Sequence, residues 1–164
     1  MTIFVKNKHT LQIDEFKFRC CIGKKGSTLN KKEGDKKTPK GTFEIENLYF
    51  RGDRKKKPLT LLKCIEIKKN MGWCDDTQSK KYNQEINFPF RYSAEKLFKK
   101  DSFYDIFINI KYNQSPIKKG KGSAIFLHLT NKKYKPTHGC IAILKRDLLK
   151  ILPHINKKTK ISIT

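Results

Sequence analysis

The apolar residues of this chain fall in short runs that alternate with polar ones, and Gly, Pro, Asn or Lys clusters interrupt every run. Alternation of period two places apolar side chains on one face of a strand, whereas an amphipathic helix needs them at i, i+3, i+4 and i+7. Thr2–Lys6 and Thr10–Ile13 read as a hairpin about Asn7–His9, and Lys17–Ile22 continues the strand pattern. Thr42–Phe50 and Leu59–Ile67 read as strands on either side of a basic turn, Arg51–Pro58. Tyr104–Tyr112, Ser123–Leu129, Cys140–Leu144 and Lys160–Ile163 add four more. Helical spacing occurs twice, over Ser93–Lys100 behind a Ser cap and over Asp147–Ile155, where Leu148, Leu149 and Leu152 share a face. Asn70–Phe90 reads as irregular and holds the only Trp. These elements predict a mainly β single domain over residues 1–164, packed short-stranded sheets with two short helices. A chain of this length buries about two-thirds of its unfolded surface and needs no staples.

Composition excludes several classes. With 37% hydrophobic and 11% aromatic residues the chain is too apolar to stay disordered. No stretch approaches the ~18 apolar residues of a membrane helix. Met1–Thr10 alternates and lacks the apolar core of a signal peptide, so the expectation is a cytosolic chain or export information carried elsewhere. The charge is lopsided, with 38 Lys+Arg against 15 Asp+Glu and a net charge of +23. Arg occurs only at Arg19, Arg51, Arg54, Arg91 and Arg146, and base readers favour Arg for its planar fork. A solvated Lys-rich surface fits better than a nucleic-acid site, and attraction to an anionic wall polymer fits as well. The five cysteines, Cys20, Cys21, Cys64, Cys74 and Cys140, include an adjacent pair and no C-x-x-C. That pattern argues against a disulfide framework and against a zinc ribbon. Cys20 and Cys21 fit the strand pattern as small hydrophobes, at least one facing the core.

The sharpest segment is Ile125–Ile143, IFLHLTNKKYKPTHGCIAI. An apolar strand delivers His128, a polar loop follows, and Thr137-His138-Gly139-Cys140 leads into a second apolar strand. A cysteine at neutral pH is only a few per cent thiolate, so a nucleophilic one needs a base or a cationic neighbour. His128 and His138 both lie within reach of such a Cys if the strands are neighbours. Gly139 lets the backbone pass close to a substrate, and the amides of Gly139 and Cys140 are oxyanion-hole candidates. On spacing alone, two packed strands with an incidental Cys fit equally well. Gly23–Gly41 is a long polar loop, and such loops on small domains usually bind something.

At these residues the sequence resembles the L,D-transpeptidase family, the YkuD-type catalytic domain that cross-links peptidoglycan. The family signature is a strand-borne His, a loop, then Ser/Thr-His-Gly-Cys, which maps onto His128 and Thr137–Cys140. Lys32–Phe43 (KEGDKKTPKGTF) resembles the family's G/D-x-x-T-P-x-G-x-F segment. Gly72-Trp73-Cys74-Asp75-Asp76, with Tyr82-Asn83, is similar to a segment of one proteobacterial branch. The resemblance implies Cys140 as nucleophile, His128 as base, the Leu129 carbonyl orienting the imidazole, and His138 in support. It implies two-step acyl transfer from a tetrapeptide stem with loss of D-Ala, or L,D-carboxypeptidase action if water takes the acyl group, with no metal or organic cofactor. Two departures bear on the acceptor side: the loop from His128 to Cys140 is shorter than in better-known members, and Ala142 replaces an Arg or Asn.

Trp73, Asp75, Asp76, Tyr82, Asn83 and Thr137 are candidate groove residues, the carboxylates suiting a free amine. Arg91 is a candidate partner for a substrate carboxylate. Burial of Trp73 to pin its loop, and a plain surface role for Arg91, fit the same residues, and Cys74 reads as structural. His9 and His154 read as surface residues. A basic nucleic-acid module is the competing class. It would interleave aromatics such as Tyr104, Phe107 and Tyr112 with basic residues on one sheet face, yet leaves Thr-His-Gly-Cys unexplained. The expected partner is therefore the peptidoglycan stem peptide, the expected state a monomer, and the location implied by the resemblance the periplasm.

Overall fold

The computed structural model describes residues 1–164. In chain order the strands are β1 (Thr2–Lys6), β2 (Thr10–Ile13), β3 (Phe16–Cys21), β4 (Ser27–Thr28), β5 (Thr38–Pro39), β6 (Gly41–Phe50) and β7 (Cys64–Glu66). They continue with β8 (Met71–Cys74), β9 (Glu85–Asn87), β10 (Ala94–Lys96), β11 (Ile106–Ile110), β12 (Phe126–Thr130) and β13 (Ile141–Leu144). One helix, α1 (Lys145–Ile151), runs into a 3-10 turn, Leu152–His154, before β14 (Lys160–Ile163) closes the chain.

The long strand β6 decides the topology. Its first half pairs with β14 and its second half with β11, both antiparallel, across a register shift near Ile110. The order β11-β12-β13-β3-β2-β1-β14-β6 therefore returns on itself as a closed ring, with β7 appended parallel to β6. Closure leaves no long unpaired edge.

Strand alternation sorts the side chains into an inside and an outside. Ile106, Ile108 and Ile110 of β11, Leu127 and Leu129 of β12, and Ile141 and Ile143 of β13 point into a core of 23 buried residues. Burying each such side chain contributes about 1.5–3 kcal/mol. The outward residues Phe107, Phe126 and His128 are also buried, because a second sheet, β10-β8-β9, covers that side. Trp73, Met71 and Leu97 from this cover pack on Tyr49, Phe107 and Phe126 as a smaller aromatic core. Trp73 meets Phe126 edge to face at 5.2 Å, and Tyr49 stacks on Phe107 at 4.7 Å. The catalytic candidates lie at the rim of this second layer.

Several expectations need correction. Ser93–Lys100 is not a helix. Ala94–Lys96 pairs antiparallel with β8, which sends Leu97 into the aromatic core, and the helix-like Glu95–Lys99 spacing instead makes an ion pair at 2.6 Å. The segment read as irregular, Asn70–Phe90, supplies β8 and β9. The strand expected over Leu59–Ile67 shrinks to β7, with Leu59 and Leu61 exposed. The C-terminal helix starts earlier, at Lys145, and gives way to the 3-10 turn at Pro153, whose ring nitrogen cannot donate. Leu148 and Leu152 are buried there, but Leu149 is exposed. Cys20 and Cys21 are both buried, as the strand pattern implied for at least one.

Candidate active site

The two site-bearing strands are parallel neighbours. β12 and β13 pair in the register Leu127↔Ile141 and His128↔Ala142. Cys140 stands immediately before β13 and packs with the outward layer, on the same side as Phe126 and His128. The connection between them ends in a turn that is held from several sides. The Thr137 hydroxyl donates to the Cys140 carbonyl and accepts the Gly139 N–H at 3.1 Å. The Thr137 N–H donates to the Ile22 carbonyl at 2.9 Å, and the Lys24 N–H to the Thr137 carbonyl at 2.8 Å. Thr38 ties the polar loop to the same turn. Its hydroxyl accepts the Gly23 N–H and donates to the Gly139 carbonyl, both at 2.8 Å. Gly139 has φ +144°, and a Cβ there would lie 3.0 Å from the Lys37 carbonyl oxygen, so the turn requires glycine.

The Cys140 thiol donates to the Ala124 carbonyl at 3.1 Å and accepts the Phe126 N–H at 3.4 Å. Burial pushes its pKa up to about 12, and the nearby Glu95 carboxylate acts in the same direction. His128 is buried, and that burial lowers its pKa to about 4. Its Nδ1 lies 2.8 Å from the Leu129 carbonyl, which assigns the proton to Nδ1 and leaves the Nε2 lone pair free. Both groups are thus neutral at pH 7. No hydrogen bond joins them in the resting site. Tyr104 packs beside both, its ring 5.2 Å from the imidazole and in the aromatic cluster against which Cys140 lies. Such an arrangement suits a thiol that is deprotonated as it attacks, rather than a standing thiolate–imidazolium pair.

These features sit on a cavity of about 600 Å³ that opens onto Cys140 and His128. The sequence matches the family described as YkuD, L,D-transpeptidase catalytic domain, over residues 1–163. The chain belongs to the YkuD family. Among solved structures this YkuD domain is similar to the crystal structure of Mycobacterium tuberculosis L,D-transpeptidase 1, with 9% sequence identity and a TM-score of 0.40. The match covers 99% of this chain and 59% of that one, so the YkuD domain spans well under two-thirds of that neighbour. The sequence has no match among the curated proteins.

The structure sorts the expected site residues. Cys140, His128, His138, Gly139, Leu129 and Thr137 all line the cavity, as does Asp75. His138 is exposed on the rim and makes no hydrogen bond. The Gly139 amide is spent on Thr137, so of the two oxyanion candidates only the Cys140 N–H stays unpaired. Trp73 and Asn83 are buried framework instead. The Trp73 indole donates to Asn83 at 3.0 Å, and Asn83 also accepts the Ala124 N–H, holding the strand entry beside the thiol. Tyr82 is buried and donates to Glu33. Asp76 accepts the Gln78 and Ser93 N–H groups, and Arg91 lies exposed near Tyr92. Neither reaches the cavity.

The structure adds residues that sequence reasoning missed. Glu33 reaches the cavity from the polar loop, while Glu95 and Lys99 come from the segment misread as a helix. Tyr104 was visible only as one aromatic in an alternating run. Of the three aromatics that a nucleic-acid module would use, Tyr104 and Phe107 are buried in the second core and Tyr112 is half-buried. No three His, Cys, Asp or Glu side chains converge closely enough to hold a metal ion. No helix is long and apolar enough to cross a membrane.

Proposed function

We propose that this YkuD domain is a cysteine acyltransferase acting on peptidoglycan stem peptides. The carrying observation is the Cys140 thiol on the cavity floor, on the same sheet face as a buried neutral imidazole, His128. As substrate closes the cavity, His128 Nε2 takes the thiol proton and the sulfur attacks the carbonyl of the L-centre of diaminopimelate. The Cys140 N–H is placed to receive the oxyanion. The imidazolium returns its proton to the departing D-Ala amine, leaving a thioester. A diaminopimelate amine from a second stem then attacks, which makes the enzyme an L,D-transpeptidase; water in its place makes it an L,D-carboxypeptidase.

The cavity's charges support a zwitterionic peptide. Asp75 has a buried carboxylate oxygen without a partner, and the Glu33 carboxylate holds the hydroxyls of Tyr82 and Ser123. Each suits an ammonium group, while Lys36 and Lys135 on the walls suit carboxylates. His138, on the rim, supports attack without being the base. This reading places the reaction in the cell envelope, where the polymer lies. Incubation with a purified disaccharide-tetrapeptide should release D-Ala and give either a cross-linked dimer or a tripeptide, resolved by mass. Cys140→Ser should give neither, and D-Ala release by that variant would end the proposal.

A further inference from the structure

The site already described leaves one polar cluster without a role. Tyr104 is buried, and its hydroxyl donates to Glu95 Oε1 at 2.8 Å. The same carboxylate oxygen accepts Lys99 Nζ at 2.6 Å, and that ammonium also lies 4.0 Å over the Tyr104 ring. The Tyr104 ring packs against Phe107, Phe126 and His128, in the cluster against which Cys140 also packs, so the hydroxyl is held near the sulfur without bonding it in the resting site. One hydroxyl proton therefore has two acceptors within reach, a carboxylate and a sulfur, and serves one at a time.

We propose that Tyr104 is a catalytic residue whose hydroxyl turns from Glu95 to the Cys140 sulfur when the thiol gives up its proton, with Glu95 and Lys99 setting how readily it turns. The proposal rests on the reading of Cys140 as nucleophile. In the resting site the sulfur is a neutral thiol, a poor acceptor, and the ionised Glu95 wins the proton. Once the S–H bond breaks and its proton passes to His128 Nε2, the electron pair left on sulfur makes it an anion with few donors beside it. The only other hydrogen bond to the sulfur is the Phe126 N–H at 3.4 Å. A phenol donor at that moment supplies a charge-assisted bond where burial makes one most valuable. Lys99 makes the switch inexpensive, because its 2.6 Å contact keeps the Glu95 oxygen satisfied after the hydroxyl leaves. The charged groups facing the thiol from the surrounding elements are Glu95 and Lys99, with the neutral His128 imidazole beside them and Asp101 beyond it. Of these, Glu95 opposes the thiolate and Lys99 favours it.

The test reads the thiol itself and needs no peptidoglycan. Iodoacetamide alkylation of Cys140, followed by peptide mass mapping from pH 6 to 10, compares the wild-type chain with Tyr104→Phe and Glu95→Gln. Tyr104→Phe keeps the ring packing and should slow alkylation about tenfold at fixed pH, the loss of one hydrogen bond to a charged sulfur offset by higher intrinsic nucleophilicity. Glu95→Gln removes the competing charge and should speed alkylation about threefold or more, a change that mere loosening of structure would not pair with the opposite effect at Tyr104. Equal thermal unfolding midpoints for the three proteins show that the folds are intact. If Tyr104→Phe matches wild type, or Glu95→Gln is alkylated no faster, the proposal is overturned. Failure of the chain to act on any stem peptide would sink the functional reading and leave this alkylation pattern as it stands.

Discussion

Thr38 and Gly139 lie 101 positions apart, yet the Thr38 hydroxyl donates to the Gly139 carbonyl at 2.8 Å. The same oxygen accepts the Gly23 N–H, so a single side chain joins the start of the polar loop to the turn that presents Cys140. Thr38 is fully buried, and no water reaches these groups to replace it. Gly23 itself fits because a Cβ there would lie 2.5 Å from the Lys36 carbonyl oxygen.

Thr38→Val should therefore leave two buried backbone groups unpaired with little change in shape. The expected cost is about 2 kcal/mol or more in urea unfolding, at ~1–3 kcal/mol for each stranded group. Acylation of Cys140 should slow as well, since the turn loses its outer support. A variant within 0.5 kcal/mol of wild type would mean that Thr38 is not what holds the turn.

The two histidines of the cavity should behave differently. His128 is buried with its Nδ1 on the Leu129 carbonyl, whereas His138 is exposed and unbonded. His128→Ala should lower D-Ala release by about 10²-fold or more, the scale of general-base catalysis. His138→Ala should retain measurable turnover. The reverse pattern would move the base to His138.

Much of this site was legible because its residues are local in sequence. The apolar run Ser123–Leu129 and the Thr137–Cys140 turn can each be read without knowing what covers them. The same holds for the hairpin of β1 and β2, whose inner residues Ile3, Val5, Leu11 and Ile13 are all buried. What hid was everything made by the second layer. Trp73 and Asn83 looked like groove residues beside Asp75 and Asp76 because they share one stretch of sequence, but the two bond each other within the buried cover. Ser93–Lys100 looked helical from its Ser cap and spacing, yet Ala94–Lys96 pairs with the cover sheet and the turn after it brings Lys99 to Glu95 at 2.6 Å. Tyr104 gained its position from three rings that only the fold assembles.

Stability should carry the mark of the buried imidazole. His128 titrates at about 4 in the fold against an ordinary value of 6.5. Between those values the unfolded chain binds a proton that the folded chain refuses, so stability falls as pH drops through this window. The slope from one such group approaches ~1.4 kcal/mol per pH unit. His128→Gln should flatten the urea-unfolding profile between pH 6.5 and 4 relative to wild type. Parallel profiles for the two proteins would show that the imidazole is charged in the fold.

The last expectation concerns the net charge of +23, which the cavity alone does not use. If the Lys-rich surface holds the enzyme on an anionic wall polymer, sedimentation with insoluble peptidoglycan sacculi should weaken steadily as salt rises. Exposed charges are screened beyond roughly 8 Å at physiological ionic strength, so long-range attraction is the first contribution lost. Turnover of a small soluble tetrapeptide should change much less, because Cys140, His128 and Tyr104 act on one another and on the peptide at short range, where screening matters least. Measuring both across one salt series separates surface attraction from site chemistry. Sedimentation that ignores salt would leave the lysines without a part in substrate binding, whatever the peptide turnover does.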